Sequence, residues 1–308
     1  MIIDLPDTSA SRIGREILTA RSRVGVPTGL VFTMIAVARG CDDDEVFAAV
    51  IDAGREHPSR IILVSDGDDG PTRLDAVLRL AEEVPGEIIQ LVFHGELTEH
   101  HASVLLPLLL PDSPVVVWWP GGSPETPGDD PIGRLALRRI TDSHAAEFPI
   151  AALVERAQHL SPGDTDLTWT RLTRWRALLA AAVEQHPAPI RRAIVRATPG
   201  NAAGVLLAAW LDDRLGVEVR LEDEAGEYGI MGVELQTDAG DIRLTRTDGT
   251  MAAFSAPGVP RRIVALPRRD LNALITEELR RLDEDAAYHA AMAALGARWD
   301  AGVTKESL

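Results

Sequence analysis

The chain has 308 residues and 47 Asp and Glu against 31 Lys and Arg, a formal net charge of −16. Such a length supports a good hydrophobic core and most often divides into two domains, and the negative balance opposes nucleic acid as a partner, because a polyanion is repelled unless the cations gather in one patch. No apolar run is long enough to span a membrane, and the single cysteine, Cys41, excludes an intrachain disulfide framework, so a cytoplasmic protein is expected, with no membrane contact.

Residues 1–7 lack the basic and apolar regions of a signal peptide, so no leader is expected. Residues 11–20 read as a short helix with Ser11 as cap and Ile13, Ile17 and Leu18 on one face, and residues 29–38 read as a strand. The acids Asp42, Asp43, Asp44 and Glu45 invite a metal, but acids at a helix start complement its dipole, and no second carboxylate cluster or EF-hand spacing follows. His57-Pro58-Ser59-Arg60 turns the chain into a strand at 61–64, residues 67–71 form a loop, and a further strand runs over 87–93. Thr98 is positioned to cap a helix over 99–106.

The stretch from Leu105 to Gly121 organises the first half. Pro111 and Pro114 interrupt it, and Val115-Val116-Val117-Trp118-Trp119 reads as a strand apolar on both faces, closed by Pro120-Gly121-Gly122. Successive side chains point to opposite faces, so the two indoles cannot share one pocket. Either both are core, or one stands exposed as a recognition anchor at the sheet edge where α/β crevices form. A short helix from Ile132 is expected before Arg139-Ile140-Thr141-Asp142-Ser143, then a helix over 148–159.

Ser161-Pro162-Gly163-Asp164 marks the expected boundary between an N-terminal mostly parallel α/β domain (1–163) and a C-terminal α+β domain with an antiparallel sheet (164–308). The second half opens with a helix over 166–186 whose Trp169, Leu172, Trp175, Leu179 and Val183 recur at helical spacing, a core stripe first and a site second. Arg171, Arg174 and Arg176 lie off that stripe. A strand at 190–197 and a helix at 202–215 precede runs of antiparallel character at 216–221, 229–237, 241–247 and 250–256, punctuated by Asp238-Ala239-Gly240 and Asp248-Gly249. A last strand at 261–266 and a helical tail over 270–298, broken near Leu282-Asp283-Glu284, complete the chain.

Chemistry-bearing motifs are missing from the sequence. There is no G-x-G-x-x-G after a strand, no Walker A motif, no G-x-S-x-G elbow and no H-E-x-x-H. The only lysine is Lys305, which makes a Schiff-base or general-base lysine improbable. His94, His100 and His101 lack a defined ligand set, and Asp142-Ser143-His144 has triad residue types without triad geometry. No catalytic residue, metal or cofactor is assigned. The Arg-Arg pairs are dispersed among carboxylates, as on solvated or protein-contacting faces.

Leu106-Pro107-Leu108-Leu109-Leu110-Pro111-Asp112, Val117-Trp118-Trp119-Pro120-Gly121 and Arg138-Arg139-Ile140-Thr141-Asp142-Ser143 resemble the OpcA family, the glucose-6-phosphate dehydrogenase assembly proteins. His57 to Arg60, Asp166 to Arg171, Trp210 to Gly216, Leu266-Pro267-Arg268-Arg269 and Glu277 to Asp283 fit the same family. The resemblance implies a non-catalytic activator that binds glucose-6-phosphate dehydrogenase in the oxidative pentose phosphate pathway. In the photosynthetic branch redox control is linked to cysteines, and a chain with Cys41 alone departs from that. Trp and Arg dominate interface hot spots. The residues expected to meet the partner are therefore Trp118, Trp119, Pro120, Gly121, Arg138, Arg139, Asp142, Ser143, His57 and Arg60. The alternative is a sugar-phosphate-binding enzyme in which Arg60, Arg138 and Arg139 clamp a phosphate with their planar forks.

Overall fold

The protein is described by a computed structural model over residues 1–24, 29–38, 43–56, 58–80 and 86–302; His57, Cys41 and Lys305 lie outside these described residues. In chain order the first elements are β1 (Ile2–Leu5), α1 (Ala10–Val24), β2 (Thr33–Ala38), α2 (Asp43–Glu56), β3 (Arg60–Asp66), β4 (Arg73–Leu80), β5 (Glu87–His94), α3 (His101–Leu105), β6 (Val115–Trp118), β7 (Arg138–Thr141) and α4 (Pro149–Gln158). Then follow β8 (Asp164–Asp166), α5 (Leu167–Arg171), α6 (Thr173–Gln185), β9 (Ile190–Ala197), α7 (Ala202–Leu215), β10 (Glu218–Asp223), β11 (Ile230–Thr237), β12 (Ile242–Arg246), β13 (Met251–Ser255), β14 (Arg262–Ala265), α8 (Leu271–Glu278) and α9 (Ala286–Asp300). No described helix is long and apolar enough to cross a membrane.

The chain divides into two units. One comprises Met1–Asp142, Ser161–Thr165 and Leu271–Glu284; the other comprises Ser143–Leu160, Asp166–Asp270 and Asp285–Leu308. The fold is mixed α/β, with a mostly parallel first sheet of order β1-β4-β5-β3-β2-β6-β7-β8 and a six-stranded mixed sheet of order β10-β9-β11-β12-β13-β14.

In the first unit β5, β3, β2, β6 and β7 pair in parallel, while β1 and β4 are antiparallel at one edge. One apolar cluster joins Ile35, Val37, Ile62, Val64, Val117 and Trp119 to Ile13 and Ile17 of α1. On the other side of the sheet, registers Ala36↔Trp118 and Trp118↔Ile140 put Trp118 between two buried neighbours. α8 and α2 pack together: Asn272 Nδ2 donates to Asp52 Oδ2 at 2.7 Å, and Arg280 pairs with Glu56 at 3.2 Å.

In the second unit the helix stripe of Trp169, Leu172, Trp175 and Leu179 is core, packed with Val205, Leu206 and Leu207 of α7 and Tyr288, Met292 and Leu295 of α9. β9, α7 and β10 form a crossover whose strands are parallel, and Asn201 caps α7 by accepting from Gly204 N at 2.8 Å. Asp285 caps α9: its Oδ1 accepts from Ala287 N at 2.9 Å and Tyr288 N at 3.0 Å, while its Oδ2 accepts the indole N–H of Trp169 at 2.8 Å. Arg176 lies over that indole, 3.5 Å from the ring centroid.

Several local expectations change. The run at 216–221 pairs parallel with β9, because a helix crossover rather than a hairpin connects them. The helix expected over 166–186 is two, α5 and α6, with Leu172 N donating to Trp169 O at 3.0 Å in the break. Thr98 does not cap; its Oγ1 donates to Gly95 O at 2.9 Å, and the helix shortens to α3. After Ile132 the chain makes a 3₁₀ turn, Gly133–Leu135, in place of a short α-helix.

Candidate functional site

Neither indole of the pair is exposed. Trp118 is 0% and Trp119 1% accessible, because β6 is an interior strand whose alternate side chains enter packed layers on both faces. The exposed-anchor expectation is thereby corrected. Pro120 is buried and Gly121 half-buried.

The arginines expected at a contact surface or phosphate clamp are engaged inside the first unit. Arg138 pairs with Glu278 of α8 and donates to Asp283 O at 2.5 Å. Arg139 pairs with Asp164 and donates to Ala136 O at 3.1 Å and to Pro162 O. Arg60 makes a two-pronged contact to Glu87 at 2.8 and 2.9 Å and donates to Leu108 O. All three side chains are buried. A buried guanidinium retains its charge only with close anionic or carbonyl partners, and these partners occupy the forks that a phosphate would need. The clamp of Arg60, Arg138 and Arg139 is therefore not assembled. Asp142 is buried; Ser143, at the start of the second unit, donates from N and Oγ to Asp166 Oδ2 at 2.9 and 2.7 Å. His57 lies outside the described residues.

Of the histidines, His94 Nδ1 lies 2.8 Å from Asp68 Oδ1 and His101 Nε2 2.6 Å from Asp66 Oδ1. Among the described residues no group of three His, Cys, Asp or Glu side chains is placed to hold a metal.

A different cluster emerges in the second unit. A cavity of about 280 Å³ opens between the start of α6, the β9–α7 turn, the segment before β11 and the segment after β14. Its lining brings together Arg171, Arg174, Arg246, Arg268 and Arg269 with His144, against one carboxylate, Glu227. Arg246 is 8% accessible; its Nη1 donates to Leu266 O at 2.7 Å and Asp248 O at 3.3 Å, and its buried Nε has no hydrogen-bond partner among the described residues. Its guanidinium lies 5.5 Å from the Trp175 ring centroid. Burial first, then the charge of Arg268, push Arg246 below the ordinary arginine value. At the rim, burial, Arg171 and Arg268 hold the His144 imidazole below its usual pKa, with Asp166 opposing them. Gly229, at φ +76°, brings the backbone before β11 so close to the α7 cap that a Cβ would lie 2.7 Å from Asn201 Nδ2.

Sequence periodicity does not show this cluster. Its arginines come from α5, α6, the end of β12 and the turn after β14, and the sequence signals are Arg171 and Arg174 lying off the core stripe and the Leu266-Pro267-Arg268-Arg269 block, with nothing to join them.

A mostly parallel α/β unit, followed in the same chain by a mixed-sheet unit with an arginine-lined cavity, defines a two-unit α/β protein whose salient residues are mostly paired inside it. Residues 50–158 match the N-terminal domain, and residues 162–292 the C-terminal domain, described as those of the OpcA glucose-6-phosphate dehydrogenase subunit. The chain belongs to the OpcA family. A curated protein of Synechococcus elongatus, named an OxPP cycle protein OpcA, is 31% identical over 166 residues, 49% of this chain. The match spans 36% of that protein, about a third of its length. Among solved structures, the 3-ketoreductase KijD10 of Actinomadura kijaniata, crystallised with NADP and TDP-benzene, aligns at 10% identity and TM-score 0.49 over 86% of this chain and 94% of its own. An oxidoreductase domain protein from Kribbella flavida aligns at 11% identity and TM-score 0.48 over 91% and 97%. These likenesses carry no statement about chemistry.

Proposed function

We propose that the chain is a non-catalytic cytoplasmic assembly factor that binds glucose-6-phosphate dehydrogenase and activates it allosterically. The observation that carries this is the matched pair of family domains, 50–158 and 162–292, in the order of the chain. The internal pairing of Arg60, Arg138 and Arg139 supports it against the arginine-clamp enzyme. In this reading Trp118, Trp119, Arg138 and Arg139 serve the complex by holding the scaffold, and the half-buried Gly121 begins the partly exposed loop that follows the Trp pair in the chain.

The test is to mix purified chain and dehydrogenase, then follow complex formation by light scattering and dehydrogenase activity across enzyme concentrations. A complex with raised activity is expected. An activator that prefers a substrate-tight state is itself bound more tightly when glucose 6-phosphate is present, by the same factor. An activator that works by assembly loses its effect once the enzyme is concentrated enough to assemble alone. No complex and no change in activity at micromolar concentrations of both proteins overturns the proposal.

A further inference from the structure

The arginine-lined cavity stands apart from the rest of the molecule in how its charges are balanced. Carboxylates outnumber cations in this chain, and several arginines elsewhere in the second unit are matched, Arg191 with Asp238, Arg192 with Glu218, Arg243 with Glu234 and Asp241, while the exposed Arg262 meets Gln185 instead. In the cavity, Arg174, Arg246 and Arg268 have no carboxylate within 4.0 Å among the described residues. The buried Arg246 has carbonyl partners on Nη1 only, with its Nε unpaired among the described residues and no anion beside it, so its charge is open to an anion from outside. Beside these arginines lies the start of α7. Asn201 and Ala203 line the cavity, and the Ala203 N–H precedes the first intrahelical hydrogen bond at the positive end of the helix dipole. The turn is also the strand-to-helix corner of the β9–α7–β10 crossover, beyond the carboxyl end of β9, where α/β crevices take ligands.

We propose that this cavity binds the phosphate group of a small phosphorylated molecule, held by Arg246, Arg268 and Arg174 at the N-terminus of α7. The ligand is small because about 280 Å³ lies at the lower end of small-molecule sites. A nucleic-acid strand would meet a chain of net charge −16 around one confined cationic spot. The site is distinct from the clamp of Arg60, Arg138 and Arg139, and it does not depend on the dehydrogenase.

The test is calorimetric titration of the full chain alone with inorganic phosphate, sulfate, glucose 6-phosphate and glucose. Phosphate and glucose 6-phosphate are expected to bind and glucose to give no heat. Tighter binding of glucose 6-phosphate than of inorganic phosphate assigns an organic phosphate; the reverse overturns the organic ligand in favour of free phosphate. Arg174→Gln and Arg268→Gln, both exposed and expected to fold, each weaken phosphate by roughly 5–10-fold, the scale of one partly exposed charge-assisted hydrogen bond. Glu227→Gln tightens it, and Arg191→Gln, in the exposed Asp238 pair, leaves it unchanged. With sulfate, which does not titrate near neutrality, the His144 imidazole resonances shift their midpoint to higher pH. No heat with phosphate at millimolar concentration, or affinities unmoved by Arg174→Gln and Arg268→Gln, overturns the proposal. So does a His144 midpoint unmoved by saturating sulfate.

Discussion

Asp285 performs two tasks with its two oxygens, and they can be separated. Oδ1 accepts the Ala287 and Tyr288 amides at the start of α9, and Oδ2 accepts the Trp169 indole N–H. Asp285→Ala removes an N-cap, about 1 kcal/mol, and strands an indole N–H on a side chain that is 2% accessible, about 1–3 kcal/mol, for a total of about 2–4 kcal/mol. Asp285→Ser retains a capping oxygen too short to serve the indole, so it costs only the second part, about 1–3 kcal/mol. Trp169→Phe removes the donor; in that background Asp285→Ala should cost only the cap, about 1 kcal/mol. Urea denaturation followed by far-UV circular dichroism, with hydrogen exchange on α9 to localise the effect, measures each corner of the cycle. Burial raises the Asp285 pKa, but the Trp169, Tyr288 and Ala287 hydrogen bonds and Arg176 bring it net below its ordinary value. Its contribution is thus present above the unfolded carboxylate pKa and fades as pH falls through the folded one. If Asp285→Ala costs as much with Trp169→Phe as without it, the indole hydrogen bond contributes nothing and this account of α9 is wrong.

Trp118→Ala and Trp119→Ala should each destabilise the first unit by about 3–5 kcal/mol through cavity formation, and molecules that remain folded should bind the dehydrogenase with parental affinity; weakened binding by fully folded protein would return the pair to the interface. Glu234, on the second sheet, is 7% accessible and accepts from Gln236 at 3.0 Å and Arg243 at 3.0 Å, with Arg196 at 3.4 Å. Burial raises its pKa, yet those hydrogen bonds and charges leave it net lowered. The parent should therefore lose stability as pH falls from the unfolded glutamate value through the lower folded one, and denaturation midpoints of Glu234→Gln across that window should fall less steeply. Parallel curves for the two proteins would count against the pairing.

Strong local signals translated directly into structure. The apolar run ending in Trp118, the helix bounded by Asn201 and Gly216, and the hairpin turns at Asp238-Ala239-Gly240 and Asp248-Gly249 each carry caps or turn residues that act within a few positions. β4 went unread although Arg73 to Leu80 alternates half-buried and buried along its length, because Leu, Ala and Arg are helix formers that mask a period of two. The break between α5 and α6 contains neither Pro nor Gly and arises at Leu172, which continues in helical angles. Burial of both indoles needs sheet order and layering together: β6, between β2 and β7, has no free edge and both its faces are covered, and neither fact is written in the strand itself. The arginine cavity was least legible, since Arg174, Arg246 and Arg268 meet only after distant segments have packed.

α8 completes the first unit, although most of that unit's chain precedes it, and Glu278 supplies the partner of Arg138 on β7. During synthesis α8 leaves the ribosome about 150 residues after β6, roughly 8–30 s later at usual translation rates. Over that interval Arg138 lacks its carboxylate, and α2 lacks the helix packed against it. The first unit therefore cannot mature domain by domain as it emerges. A nascent chain arrested before residue 271 should remain open to protease and chaperone in its first half, even with every strand of its sheet already made.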